Sequence, residues 1–173
     1  ARCLDKIEYP FDIYETDTGN IYSETNNSFE NKIANFSEKE IMLYCVNADQ
    51  MLPVQERLGE QRVNGVYRIG YWFWELSRFP DEWLHALELV DEIWAPTQFI
   101  YDTLSKVTTK PVIHMPVAVD FEIQGQYSRE VFNLPSGQFL FLVSFDFHSF
   151  STRKNAAAVL ESFKQAFSDN VDT

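Results

Sequence analysis

YRIGYWFWELSRFPDEWLHALELVDEIWAPTQFIYDTLSKVTTKPVIHMPVAVD, residues 67–120, is the stretch that decides the fold. Three short β-rich runs lie in it, at residues 68–72, 92–95 and 112–115. Two segments of helical periodicity separate these runs: Pro80 is suited to the start of the first helix, and Thr97 can cap the second. Strands that alternate with helices of this length predict parallel pairing through right-handed crossovers.

The flanking sequence supports the same class of fold. Residues 40–46 (EIMLYCV) form an apolar run dense enough for a strand that is covered on both faces. Residues 51–58 predict a short helix that ends at Gly59. Three further elements are predicted: a short strand at 9–14, a buried strand at 139–145 (FLFLVSF) and a helix at 153–167. The predicted fold is therefore α/β, a Rossmann-like, mostly parallel sheet with helices on both faces.

Composition limits the classes of partner. The 173 residues are 45% hydrophobic and 16% aromatic, which is typical of a globular chain with a sizeable core. The net charge of −12 repels nucleic acid and anionic membranes, so no nucleic-acid partner is expected. The apolar runs are too short to span a bilayer. Two cysteines, Cys3 and Cys45, are interpreted as reduced thiols of a cytoplasmic protein. No cluster with metal-ligand spacing is present, so no metal is expected.

In a parallel α/β sheet the ligand site lies at the carboxyl ends of the strands. That rule selects the segments 47–49, 71–75, 96–97 and 116–120. The residues in these segments that we expect to line a cleft are Asn47, Asp49, Trp74, Thr97 and Asp120. Trp74 has two interpretations, a core side chain or a surface that stacks on a sugar ring. His114 lies within an apolar strand and is expected to be a core histidine rather than a catalytic base.

The start of the last predicted helix carries two cations, Arg153 and Lys154. Together with the free backbone N–H groups of a first helical turn they can attract an anion. Solvated basic side chains are the alternative interpretation, because many helices begin this way. Neither a P-loop nor a dinucleotide-binding glycine motif is present.

Four ordered segments over about residues 40–168 resemble bacterial retaining glycosyltransferases of the GT-B type. These segments are GYWFWELSRFPDEW (70–83), VDEIWAPTQFI (90–100), PVIHMPVAVD (111–120) and FLFLVSFDFHSFSTRKNAAAVLESFKQAF (139–167). The resemblance is to the group 1 glycosyl transferases, the mannosyl- and rhamnosyltransferases of polysaccharide assembly. It implies two Rossmann-like domains, of which the first holds the acceptor and the second a nucleoside-diphosphate sugar, without a bound metal.

The resemblance also implies a domain organisation. Residues 1–120 match an incomplete acceptor-side domain, residues 121–138 a linker, and residues 139–173 the truncated start of the donor-nucleotide domain. The family's paired glutamates and nucleobase pocket would then lie outside this chain. By that comparison the fragment alone is expected to be inactive.

Individual roles follow from the same resemblance. Lys154 matches the lysine of the family's Lys-Gly signature, which contacts the donor diphosphate, although Asn155 replaces the glycine. The family's usual arginine a few residues before that lysine is missing, so either Arg153 substitutes for it or the donor is held differently. His148, in the polar turn near the implied donor site, is a further candidate for a donor contact. Glu75 lies near an acceptor-side polar residue of the family and can orient or deprotonate an acceptor hydroxyl. The alternative for Glu75 is a simple ion pair with Arg78.

Two functions of different classes are therefore carried forward. The first is a fragment of a glycosyltransferase that moves a sugar from a nucleoside-diphosphate sugar to a hydroxyl of a saccharide or lipid-linked acceptor with retention. The second is a non-catalytic Rossmann-like binding or scaffold domain. Peripheral membrane association of the full-length protein and self-association of the fragment through exposed apolar surface are further expectations.

Overall fold

The computed structural model describes residues 1–16, 27–34, 40–119, 121, 123, 125–145 and 154–167. The chain divides into two compact units, Ala1–Phe121 and Glu122–Thr173.

The first unit contains a four-stranded sheet. Its strands are β1 (Ile41–Tyr44), β2 (Tyr67–Tyr71), β3 (Glu92–Ala95) and β4 (Val112–His114), and they pair in the order β1-β2-β3-β4. All three pairs are parallel. The predicted α/β class with a parallel, Rossmann-like sheet is therefore confirmed.

Helical segments connect each strand to the next. They are α2 (Met51–Leu58) and α3 (Glu60–Val63) after β1, a 3₁₀-helix (Asp81–Leu89) after β2, and α4 (Gln98–Leu104) after β3. The predicted caps are confirmed: Gly59 ends α2 with a φ of 76°, a conformation that a Cβ disfavours. The Thr97 hydroxyl oxygen accepts a hydrogen bond from the Ile100 N–H at 3.3 Å and so caps α4. The predicted helix after Pro80 forms as a 3₁₀-helix.

These connections pack on one face of the sheet. The buried core joins Tyr44, Ile93 and Ala95 of the strands to side chains of α2, the 3₁₀-helix Asp81–Leu89 and α4. Each crossover steps in the same direction across the sheet, and right-handed crossovers that do so lie on the same side. The helical layer therefore covers the face that carries Tyr44 and Ile93.

The sequence predicted helices on both faces and a first strand covered on both faces. In the described residues the strand connections cover one face, and the opposite face carries apolar side chains that remain exposed. Strand register aligns Leu43, Ile69 and Glu92 in one row and Tyr71, Trp94 and Ile113 in the next. Ile41, Leu43, Tyr67 and Ile113 of this face are exposed. Glu92 accepts hydrogen bonds from the Tyr67 hydroxyl at 3.0 Å and the Trp94 Nε1–H at 2.6 Å. The hydrogen bond to this carboxylate raises the pKa of Tyr67, so the phenol stays protonated as a donor.

An ion pair links β2 to the turn before β3. The Asp91 carboxylate accepts hydrogen bonds from Arg68 Nε at 3.0 Å and Nη2 at 2.9 Å, and a third from the Arg68 backbone N–H at 2.9 Å. The Arg68 hydrogen bonds hold the pKa of Asp91 below its usual value. This bidentate pair fixes the amino ends of the two central strands against each other.

Asp91→Asn is expected to lower the free energy of unfolding by about 1–2 kcal/mol at neutral pH, because both members of the pair are partly exposed and screened. Since folding lowers the Asp91 pKa, the stabilisation is fully present above the unfolded value near 3.9 and is lost as the pH falls through the folded value. Urea denaturation of both proteins at neutral pH and at about pH 2 measures this difference. A difference that does not shrink on acidification would contradict the assignment.

The described amino-terminal residues, 1–16 and 27–34, form short elements. Helix α1 (Arg2–Lys6) is followed by a single parallel bridge between Ile13 and Ile33, and a 3₁₀-helix (Asn27–Lys32) leads into Ile33. The predicted strand at residues 9–14 was therefore wrong except at Ile13. In the described residues, that part of the chain pairs only through this one isolated bridge.

The second unit does not contain the predicted strand at residues 139–145. Phe139 is 82% exposed and Leu142 is 92% exposed, which excludes a buried strand. A strand needs a neighbour to hydrogen-bond with, and the described residues of this unit include no paired strand. Phe141 instead packs against Phe163 of α5 (Ala156–Ala166), with ring centroids 5.3 Å apart. The predicted terminal helix is confirmed within those narrower bounds.

None of the helices in the described part of the chain has the length and apolar content needed to cross a bilayer.

Candidate functional site

The carboxyl ends of the strands form one edge of the sheet, and hydrogen bonds tie the loops along it together. The side-chain Oδ1 of Asn47, after β1, accepts a hydrogen bond from the backbone N–H of Phe73, after β2, at 2.9 Å. The Tyr71 hydroxyl donates to the carbonyl oxygen of Met115, after β4, at 3.1 Å. Two of the predicted segments, 47–49 and 71–75, therefore meet directly, and the end of β4 is held beside them.

The loop after β2 presents Glu75 to solvent. Two buried aromatic side chains, Trp72 and Phe79, anchor the ends of this loop, and their rings stack 6.2 Å apart at 13°. Glu75 is exposed between these anchors. Arg78, in the same loop, forms an ion pair with Asp81, with 2.6 Å between Nη2 and Oδ2. The loop thus has fixed ends and a carboxylate on its outer side.

Trp74 is part of an aromatic cluster within the chain. Its ring meets Trp83 edge to face at 4.8 Å and Phe79 at 6.3 Å, and its Nε1–H donates to the carbonyl oxygen of Arg78 at 2.8 Å. The half-buried ring is therefore held rigidly, and only its remaining surface is open to a ligand.

The other predicted cleft residues on this edge are exposed polar side chains. Asp49 lies in the 3₁₀-helix Ala48–Gln50 and accepts a hydrogen bond from the Gln50 Nε2–H at 3.1 Å. Thr97 has its hydroxyl oxygen engaged as the cap of α4.

His114 was expected in the core, but it is exposed, because β4 is the edge strand of the sheet and its end is not covered.

The predicted donor-side residues belong to the second unit or lie outside the described residues. Asp120, His148 and Arg153 lie outside them. Lys154 is exposed, two residues before the first residue of α5, and Asn155 between them has a left-handed conformation with a φ of 47°. Residue 155 therefore uses a backbone region that glycine adopts most readily.

A pocket of about 630 Å³ lies beside the segment that follows β4. Its walls come from α1, the residues around the Ile13–Ile33 bridge, and Ala118, Val119 and Phe121. The lining residues are Ala1, Arg2, Cys3, Ile13, Glu15, Phe29, Ile33, Ala118, Val119 and Phe121. Sequence reasoning selected the segment 116–120 but missed the amino-terminal side, because no local periodicity signals that residues more than 80 positions apart share a cavity.

No protein-family model, curated protein or solved structure matches this chain.

Among the residues that the structure describes, no group of three or more His, Cys, Asp or Glu side chains is arranged to hold a metal ion. The groups that the carboxyl-end edge of the sheet presents are the Glu75 and Asp49 carboxylates, the Asn47 amide and the partly exposed Trp74 ring. Such groups can bind and orient a polar ligand, and an exposed carboxylate can accept a proton from a hydroxyl.

Proposed function

We propose that this chain is a fragment of a cytoplasmic glycosyltransferase that transfers a sugar, with retention, from a nucleoside-diphosphate sugar to a hydroxyl of a saccharide or lipid-linked acceptor. The observation that carries this proposal is the edge of the parallel sheet. Its loops are tied by the bond from Phe73 to Asn47, and Glu75 is exposed beside them. A rigid edge with polar and aromatic side chains suits the binding of a saccharide.

In this proposal the residues divide into two groups. Glu75 orients or deprotonates the acceptor hydroxyl, and the acceptor lies against Asn47, Asp49, Trp74, Thr97 and Asp120. Lys154, with Arg153 and His148, holds the donor diphosphate. Fixed cations at that position would stabilise the negative charge that builds on the leaving diphosphate, so no metal is required.

Binding of a panel of nucleoside-diphosphate sugars to the full-length protein, measured by calorimetry, tests the proposal. Lys154→Ala is expected to weaken binding of the preferred donor by roughly 1.5–3 kcal/mol, the value of a hydrogen bond to a charged group. That corresponds to a loss of affinity of about 10- to 150-fold. Lys164→Ala is the matched control, because Lys164 lies in the last turn of α5, at the opposite end from Lys154, and it should leave the affinity unchanged.

Two outcomes count against sugar transfer. A folded protein that binds none of the nucleotide sugars would favour the alternative, a non-catalytic Rossmann-like binding or scaffold domain. If Lys154→Ala and Lys164→Ala weakened donor binding equally, the loss of affinity would come from the change in net charge and not from a contact between Lys154 and the diphosphate.

A further inference from the structure

The pocket that Ala118, Val119 and Phe121 line also has a wall of apolar side chains from the amino-terminal residues. Ile13 and Ile33 are partners in a parallel bridge, held by the Ile13 N–H donating to the Lys32 carbonyl at 2.8 Å and the Ala34 N–H donating to the Ile13 carbonyl at 3.0 Å. Bridge partners direct their side chains to the same side, so the two isoleucines stand next to each other. Both line the pocket.

Aromatic packing supports a second part of this wall. Phe29, which lines the pocket, meets Phe11 edge to face with ring centroids 6.1 Å apart. The Lys32 ammonium lies 5.0 Å from the centre of the Phe11 ring, on the same short 3₁₀-helix as Phe29. The phenyl group of Phe29 is thus held in position rather than free to turn away.

The facing wall leaves apolar surface exposed. Val119 and Phe121 line the pocket and are 72% and 70% exposed. The charged side chains of the lining are Arg2 and Glu15. A saccharide needs many converging hydrogen-bond partners, and this lining offers few, whereas a hydrocarbon needs only apolar surface.

We propose that this pocket binds the hydrocarbon chain of a single-chain amphiphile and leaves its polar head beside Arg2 and Glu15. The volume of about 630 Å³ falls within the usual range for small-molecule sites. Burial of the chain would cover Val119, Phe121 and the two isoleucines, and so remove their apolar surface from water. This inference does not depend on the sugar-transfer proposal, because it involves neither Glu75 nor Lys154.

Binding of hexyl, octyl and decyl glucosides to the 173-residue chain, kept below their critical micelle concentrations, tests it. Affinity is expected to rise about fourfold for each buried methylene group. Perturbation of the isoleucine methyl signals in NMR spectra locates the site. Decanoate and decyl phosphate, measured in the same way, distinguish a fatty-acid head from a lipid-phosphate head. Affinity that is independent of chain length, or equal binding of free glucose, would overturn the proposal.

Variants at exposed positions provide the controls. Ala118→Trp fills the pocket and is expected to reduce decyl glucoside affinity at least tenfold, whereas Val117→Trp, one residue earlier and outside the lining, should not. Val119→Asp, at an exposed site that does not threaten folding, should also reduce it. Unchanged thermal unfolding confirms that each variant is folded. Undiminished binding by both Ala118→Trp and Val119→Asp would exclude this pocket.

Discussion

Trp72→Ala is expected to lower the free energy of unfolding by about 3–5 kcal/mol, the range for removal of a buried tryptophan. Trp72 is 1% exposed at the end of β2, and it joins the sheet to the loop that carries Glu75. Its ring stacks on Phe79, so its loss leaves a cavity at the anchor of that loop. A small domain has a stability of only about 5–15 kcal/mol, so this one change would remove a large part of it.

Urea denaturation followed by far-ultraviolet circular dichroism measures the effect without relying on tryptophan emission. Leu76→Ala is the control, because Leu76 lies in the same loop and is 62% exposed. Trp72→Phe should cost much less than Trp72→Ala. The phenyl ring fills most of the space of the indole. The substitution also removes an indole N–H that has no hydrogen-bond partner among the described residues. Equal stability of Trp72→Ala and the unmodified chain would refute the anchoring role.

Gly70→Ala is expected to destabilise the fold by about 3 kcal/mol, at the upper end of the range for overpacking. A Cβ at position 70 would lie 2.7 Å from Cε2 and 2.8 Å from Nε1 of Trp72. The indole cannot move aside easily, because Phe79 is stacked with it in the core. Gly70 is therefore required by close side-chain approach and not by a special backbone angle.

A double-mutant cycle isolates this contact. In the Trp72→Ala background the extra methyl group meets no ring, so Gly70→Ala should cost far less there than in the unmodified chain. Urea denaturation of the four proteins gives the coupling free energy. Independent, additive effects would mean that the cost arises from the backbone of β2 and not from the indole.

Several parts of the fold could be predicted because their causes are local. The alternation of apolar runs with helical periodicity indicated the parallel sheet, and the Gly59 and Thr97 caps depend only on neighbouring residues. The run at 139–145 shows the limit of this reasoning. Its composition favours burial, but a strand also requires a hydrogen-bonding neighbour, and composition carries no information about one.

The candidate site was predictable to a similar extent. The rule for parallel sheets selected the strand ends, and Asn47 and Phe73 do meet there. The degree to which each side chain is already used was not predictable. The Trp74 ring packs against Trp83, and the Asn47 Oδ1 already accepts a hydrogen bond from the backbone N–H of Phe73, 26 positions away. Whether a side chain is available to a ligand depends on neighbours distant in sequence.

By itself the amino-acid sequence determined the class of fold, the order of the central strands along the chain, and the edge at which polar residues collect. Those features follow from side-chain periodicity and from the handedness of the backbone. Only the tertiary structure decided that all three crossovers cover one face, that Gly70 lies beneath an indole, and that Ile13 and Ile33 form a pocket with Ala118, Val119 and Phe121. Each of these depends on contacts between segments far apart in the chain, which packing creates and no local pattern encodes.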